Sequence, residues 1–200
     1  MMTLGITGRS GCGKSTVTAY FSGRGIPCAD ADRIARDVLA PGSPCLAPLE
    51  AAFGADIFVG GQLNRRLLAD RAFSTPAGTK KLTEITHPEI VRRVLAAQTA
   101  ARQAGSPLFC VDGAVLIGSA FEQACDRILV VTAPFDISVA RICARDGISA
   151  EMAARRLHAQ MAEPALLEKA DYILRNDSTA AALTAQAAAL LDLLLKGTKA

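Results

Sequence analysis

The chain lacks every cysteine pattern that would tie it together chemically. Its six cysteines, at 12, 28, 45, 110, 125 and 143, form no CxxC pair and none stands beside either histidine. Such spacing excludes a zinc module and a disulfide framework, and it suits a reducing compartment. Charge of one sign is also scarce: 22 basic against 19 acidic residues leave a net +3. That surplus is too small to demand nucleic acid, although a few clustered cations could still form a cleft for a small anion. No basic leader or long apolar run precedes the first glycine loop, so no signal peptide is expected. The apolar stretch 180–195 is interrupted by Thr184, Gln186 and Asp192. It is expected as a packed terminal helix, too short and broken for a membrane span. Internal repeats and low-complexity linkers are missing too. What is present is 50% hydrophobic and 20% charged residues over 200 positions, enough for one ordered core without staples.

Short β-rich runs at 3–7, 26–29, 108–111, 127–131 and 172–174 alternate with longer helical patterns. Alternation of this kind predicts an α/β fold with a parallel five-stranded sheet between helical layers. The first helix is expected from about Lys14 to Ser22, stopped by Gly23 and Gly25. Between 30 and 105 the strand signal fades. Helical patterns at 32–40, 46–53, 65–73 and 88–102 flank the break Pro41-Gly42-Ser43-Pro44. A second helical stretch spans 137–169. The expected organisation is one domain: a core of about 1–29, 106–136 and 170–200, a helical insertion of about 30–105, and a helical lid of about 137–169.

Gly8-Arg9-Ser10-Gly11-Cys12-Gly13-Lys14-Ser15 matches the phosphate-loop pattern GxxxxGK[ST] between an apolar strand and an amphipathic helix. Glycines admit positive φ and let backbone N–H groups approach a phosphate with no Cβ in the way. Lys14 would stand beside the β- and γ-phosphates, Ser15 would offer its hydroxyl to Mg²⁺, and the helix N-terminus beginning near Lys14, Ser15 and Thr16 would add its dipole. Gly11, Cys12, Gly13, Lys14, Ser15 and Thr16 are therefore the candidate nucleotide-binding residues. Cys12 needs only its backbone for this; a redox role for its thiol is the lesser reading. No Asn-Lys-x-Asp stretch occurs, which argues against a guanine-reading switch.

Carboxylates stand where sheet strands should end, the side on which open α/β sheets bind ligands. Asp30 and Asp32 follow the second strand and would share a face if it continued. Asp112 ends the run Leu108-Phe109-Cys110-Val111, where a Walker-B aspartate would hold Mg²⁺ directly or through water. Plainer readings stand beside these: Asp30 as a helix N-cap, Asp32 as a first-turn helix charge, Asp112 as a turn former before Gly113.

Asp30-Ala31-Asp32-Arg33-Ile34-Ala35-Arg36, taken with the loop, resembles the dephospho-coenzyme A kinase family. The likeness continues in order through Leu63-Asn64-Arg65, His87-Pro88, Arg141-x-x-x-Arg145-Asp146, Gln160, and Ala170-Asp171-Tyr172-Ile173-x-x-Asn176, nearly the whole chain. The resemblance implies ATP and Mg²⁺ as cofactors, dephospho-coenzyme A as the partner molecule, and phosphorylation of its ribose 3′-hydroxyl in the cytoplasm. It implies no nucleic acid, no membrane, and a monomer or small homo-oligomer. Asp32 matches the family's catalytic base, and Arg65, His87 and Arg92 fall in its acceptor-binding region. Asn176 matches a position near the adenine. His87 could instead cap a helix starting at Pro88, and Arg65 could belong to a solvated face. Arg141 and Arg145, four apart, would share one lid face over the transferring phosphoryl group; pairing with Asp146 or Glu151 is the alternative. Two positions depart from the family. Gly118 stands where a carboxylate is common, and Arg175 where an acid is frequent.

Overall fold

The computed structural model describes residues 1–197. The chain forms two compact units, one of residues 1–30 and 98 onward, the other of residues 31–97.

The first unit is built on a five-stranded parallel sheet in the order β2-β5-β1-β6-β7. Its strands are β1 (Met2–Thr7), β2 (Cys28–Asp30), β5 (Leu108–Asp112), β6 (Arg127–Thr132) and β7 (Tyr172–Arg175). β1, β5 and β6 are buried almost throughout, which is why they read as unbroken apolar runs: helices cover both faces of a parallel sheet. On one face α1 (Lys14–Gly23) contributes Val17 and Phe21 to a cluster with Leu4, Ile6 and Leu108. α10 (Ala180–Gly197) adds Leu183, Ala187, Leu190, Leu191 and Leu194 to the same cluster. By length and composition alone this 18-residue helix would suit a bilayer. The expectation that it is too short is therefore corrected; its apolar stripe is spent on the core. A short α6 (Ala120–Gln123) precedes β6, and the stretch between β6 and β7 forms α7 (Phe135–Asp146), α8 (Ala150–His158) and α9 (Glu163–Leu167). Ile142, Ala153 and Leu157 pack α7 on α8.

The second unit contains α2 (Ala31–Asp37), α3 (Leu46–Phe53), a hairpin of β3 (Phe58–Val59) and β4 (Gln62–Leu63), α4 (Arg65–Phe73), and most of α5 (Pro76–Gln103). Its own core holds Val38, Cys45, Leu49, Ile57 and Leu68. Three expectations need correction here. The chain turns into α2 directly after Asp30, so Asp30 and Asp32 do not share a strand face. A hairpin interrupts the region expected to be helical, because Gly60-Gly61, with φ of 58° and 77°, is the two-residue turn that suits right-twisted strands. And Pro88 lies inside α5, so His87 is no cap at a helix start. Proline suits a first turn, but Leu82, Ile85 and Ile90 pack on one core and carry the helix through it.

Candidate nucleotide-binding site

β1 is the central strand, so the loop that follows it emerges at the carboxyl edge, next to the end of β5. Gly8, Gly11 and Gly13 adopt φ of 153°, 78° and 99°. Added Cβ atoms would come within 2.3 Å of the Val131 carbonyl oxygen at Gly8 and 2.6 Å of the Ser138 carbonyl oxygen at Gly11. Neighbouring backbone, as well as torsion, therefore requires glycine there. Gly13 starts α1 with no side-chain cap, and the Thr16 N–H donates back to its carbonyl at 3.0 Å; the positive end of the helix dipole lies at the loop, where an anion is favoured.

Lys14 Nζ is paired with Asp112 Oδ1. Thr18, one turn after Lys14, donates its hydroxyl to Asp112 Oδ2 at 2.8 Å. Asp112 is buried and is the last residue of β5 rather than a turn former. Thr18 was not singled out from the sequence; its place four residues after the loop lysine is the signal that could have found it. Ser15 is exposed at the start of α1, and Thr16 is half-buried beside it. The Cys12 thiol is buried, and burial raises its pKa to about 11. It is a neutral thiol near pH 7, which removes the basis for redox reactivity there.

The helices between β6 and β7 meet the loop through its variable positions. Arg9 Nη2 donates to the Leu157 carbonyl at 2.6 Å, and its guanidinium lies over the Phe135 ring. Ser10 N–H donates to Gln160 Oε1 at 2.9 Å, while Gln160 Nε2 donates back to Ser10 Oγ at 2.8 Å. Arg141 donates to the Gly11 carbonyl and to Asn176 Oδ1. Arg145 lies apart from this group. Its exposed guanidinium grips Asp146, which also takes Arg156, so for Arg145 the pairing alternative is the one observed. Asp146 is held near pKa 2 chiefly by Arg145. Asn176 is buried against the loop. A cavity of about 340 Å³ beside it is lined by Arg9, Phe135, Ser138, Glu163, Arg175 and Asn176, among others.

The remaining candidates belong to the second unit. Asp32 is exposed in the first turn of α2. Arg65 donates to the Arg36 carbonyl at 3.2 Å, His87 is half-buried within α5, and Arg92 shares Glu89 with Arg93. The departure at Gly118 has a local structure of its own. Its φ is 79°, and its N–H donates to Glu122 Oε2 at 2.7 Å.

A family model described as dephospho-CoA kinase matches residues 2–182. The chain belongs to the dephospho-CoA kinase family. It is 38% identical over 186 residues to the dephospho-CoA kinase of Corynebacterium jeikeium, covering 93% of this chain and 96% of that one. To the dephospho-CoA kinase of Syntrophotalea carbinolica it is 34% identical over 200 residues, covering 100% and 95%. Among solved structures, TT1252 from Thermus thermophilus superposes with a TM-score of 0.81 at 34% identity over 96% and 97% of the two chains. Dephospho-CoA kinase from Campylobacter jejuni gives 0.74 at 25% identity over 98% of each. Shikimate kinase from Acinetobacter baumannii, at 17% identity and a TM-score of 0.56 over 98% of this chain and 94% of that one, shares the fold alone. The family's P-loop kinase architecture, a parallel sheet between helices, is the one described above.

Proposed function

We propose that this chain is a dephospho-CoA kinase: it transfers the γ-phosphoryl group of ATP to the ribose 3′-hydroxyl of dephospho-coenzyme A, yielding coenzyme A and ADP, in the cytoplasm. The observation that carries the reading is a glycine loop with Lys14 anchored on Asp112, inside a family match that spans residues 2–182.

In this reading the loop N–H groups and Lys14 bind the β- and γ-phosphates and neutralise charge as it shifts between oxygens. Positioning and electrostatics supply most of the catalysis in phosphoryl transfer. The cavity beside Asn176 takes the nucleoside of ATP. Its size, the Phe135 ring, and a buried Arg9 Nε with no hydrogen-bond partner among the described residues all suit a polar aromatic guest. Ser15 and Asp112 would hold Mg²⁺, which screens the phosphate charge when bound. Among the described residues no cluster of three His, Cys, Asp or Glu suits a metal, so the ion's other ligands would be phosphate oxygens and water. Arg141 adds positive charge at the loop, and the segment 135–167 acts as the lid that keeps water from the phosphoryl group. Arg145 joins it only by giving up Asp146. Asp32 orients the acceptor hydroxyl and accepts its proton, while Arg65, His87 and Arg92 contact the acceptor's anionic and polar groups.

The test is an acceptor panel with purified protein and Mg-ATP. Phosphate should appear on dephospho-coenzyme A, with a 3′-phosphorylated product by mass and NMR. Transfer to nucleosides or nucleoside monophosphates without transfer to dephospho-coenzyme A would reject the proposal.

A further inference from the structure

We propose that Asn176, together with Arg141, is a positioning device for the phosphate loop: the pair takes the Gly11 and Cys12 carbonyl oxygens and so fixes the backbone turn that presents the loop to the anion. The inference deepens the nucleotide reading of the loop given above and rests on it.

A loop whose N–H groups converge on one point must turn its C=O groups the other way, and buried C=O groups need donors. Two of those carbonyls have them. Asn176 Nδ2 donates to the Cys12 carbonyl at 2.8 Å, and Arg141 Nη1 donates to the Gly11 carbonyl at 3.3 Å. The two donors are themselves joined, since Arg141 Nη2 donates to Asn176 Oδ1 at 3.1 Å. This sets the amide's orientation: a guanidinium only donates and a carbonyl only accepts, so Asn176 can satisfy both in a single rotamer. Asn176 is 5% exposed, and its own N–H donates to the Thr132 carbonyl at 2.8 Å, which roots it at the end of β6. Gly13 completes the fit. A Cβ there would come within 2.2 Å of Asn176 Nδ2, so the residue before the lysine must be glycine for the amide to reach over the loop.

Asn176 therefore acts through the loop backbone rather than by reading the adenine. Because Arg141 is on α7, the shape of the loop is coupled to the docking of that helix.

Isothermal calorimetry on the full chain with ATP, inorganic tripolyphosphate and adenosine tests this. Asn176→Ala should weaken ATP and tripolyphosphate about tenfold each and weaken adenosine, whose cavity it also lines, by less. Asn176→Asp should not rescue, because its carboxylate can accept from Arg141 but offers the Cys12 carbonyl no donor. Combining Asn176→Ala with Arg141→Met should cost less than the product of the single effects, as expected for groups sharing one bond. Unchanged tripolyphosphate affinity with weakened adenosine, full rescue by aspartate, or strict additivity would each overturn the assignment. Should Asn176→Ala lose its folded circular-dichroism melt, Arg141→Met alone carries the test: its tripolyphosphate affinity must fall, and an unchanged value rejects the device. Failure of the wild-type protein to bind ATP or tripolyphosphate is a different result, which rejects the nucleotide reading itself.

Discussion

The phosphate loop and the second unit carry their candidate residues in opposite ways. Around the loop, glycines at three positions are required by approaching backbone or amide atoms, and its variable residues Arg9, Ser10 and Cys12 are bonded to Leu157, Gln160 and Asn176. In residues 31–97 the candidates are helix residues, and contacts such as Arg65 on the Arg36 carbonyl and Arg92 on Glu89 also serve ordinary helix and loop stability. A phosphate is bound mainly by backbone, so its site demands a special local conformation that few residue types allow. Recognition of a larger acceptor draws on side chains projected from regular helices, and no special conformation marks them out.

The contrast breaks most sharply at Lys14. Lys14→Ala should lower phosphoryl transfer about a thousandfold by removing the ammonium at the transferring group; coupled-assay turnover within a few-fold of wild type would leave the loop with no more claim than the helices. Next comes Asp32→Asn, for which we expect turnover to fall about 100-fold while calorimetric ATP affinity stays unchanged. An equal loss in both would place Asp32 with the nucleotide rather than the acceptor. Gly11→Ala should weaken ATP about tenfold, since a left-handed backbone disfavours a Cβ and the Ser138 carbonyl obstructs it; binding at wild-type strength would show that the loop can relax.

The smallest effect concerns the second unit's own stability. Arg92 first, and Arg93 after it, hold the Glu89 carboxyl down to about 2 against an ordinary 4.5. A depressed acid contributes stability that is complete above pH 4.5 and is lost as the pH falls toward 2. In thermal melts across that window, Glu89→Gln should lose less stability on acidification than wild type does. Parallel curves for the two proteins would mean the pair is only a surface contact.

Legibility followed the same division. Helices at 46–53 and 65–73 and all five sheet strands could be read to within about two residues, because buried strands stand out as short β-rich runs between helical patterns. β2 begins at Cys28 rather than at position 26 since Pro27 has no N–H to give the ladder. α5 was read from its proline onward and is a full three turns longer, because packing of Leu82 and Ile85, invisible in local propensity, extends it. The hairpin is legible as a glycine pair, Gly60-Gly61, between Phe58-Val59 and Gln62-Leu63. Gln160 could not have been given a role from spacing, as its partner Ser10 is distant in the chain, whereas Thr18 is marked by its place one turn after Lys14.

By itself, the order of residues determined that a parallel sheet would form and that a glycine loop with a lysine would sit at the end of its first strand. Both follow from local rules: periodic burial, and the need for positive φ where backbone amides converge. Tertiary structure alone decided that Asp112 meets Lys14 across 98 residues and that Asn176 closes over Cys12 across 164. Those outcomes depend on which strands become neighbours, and strand adjacency is set by the whole core at once.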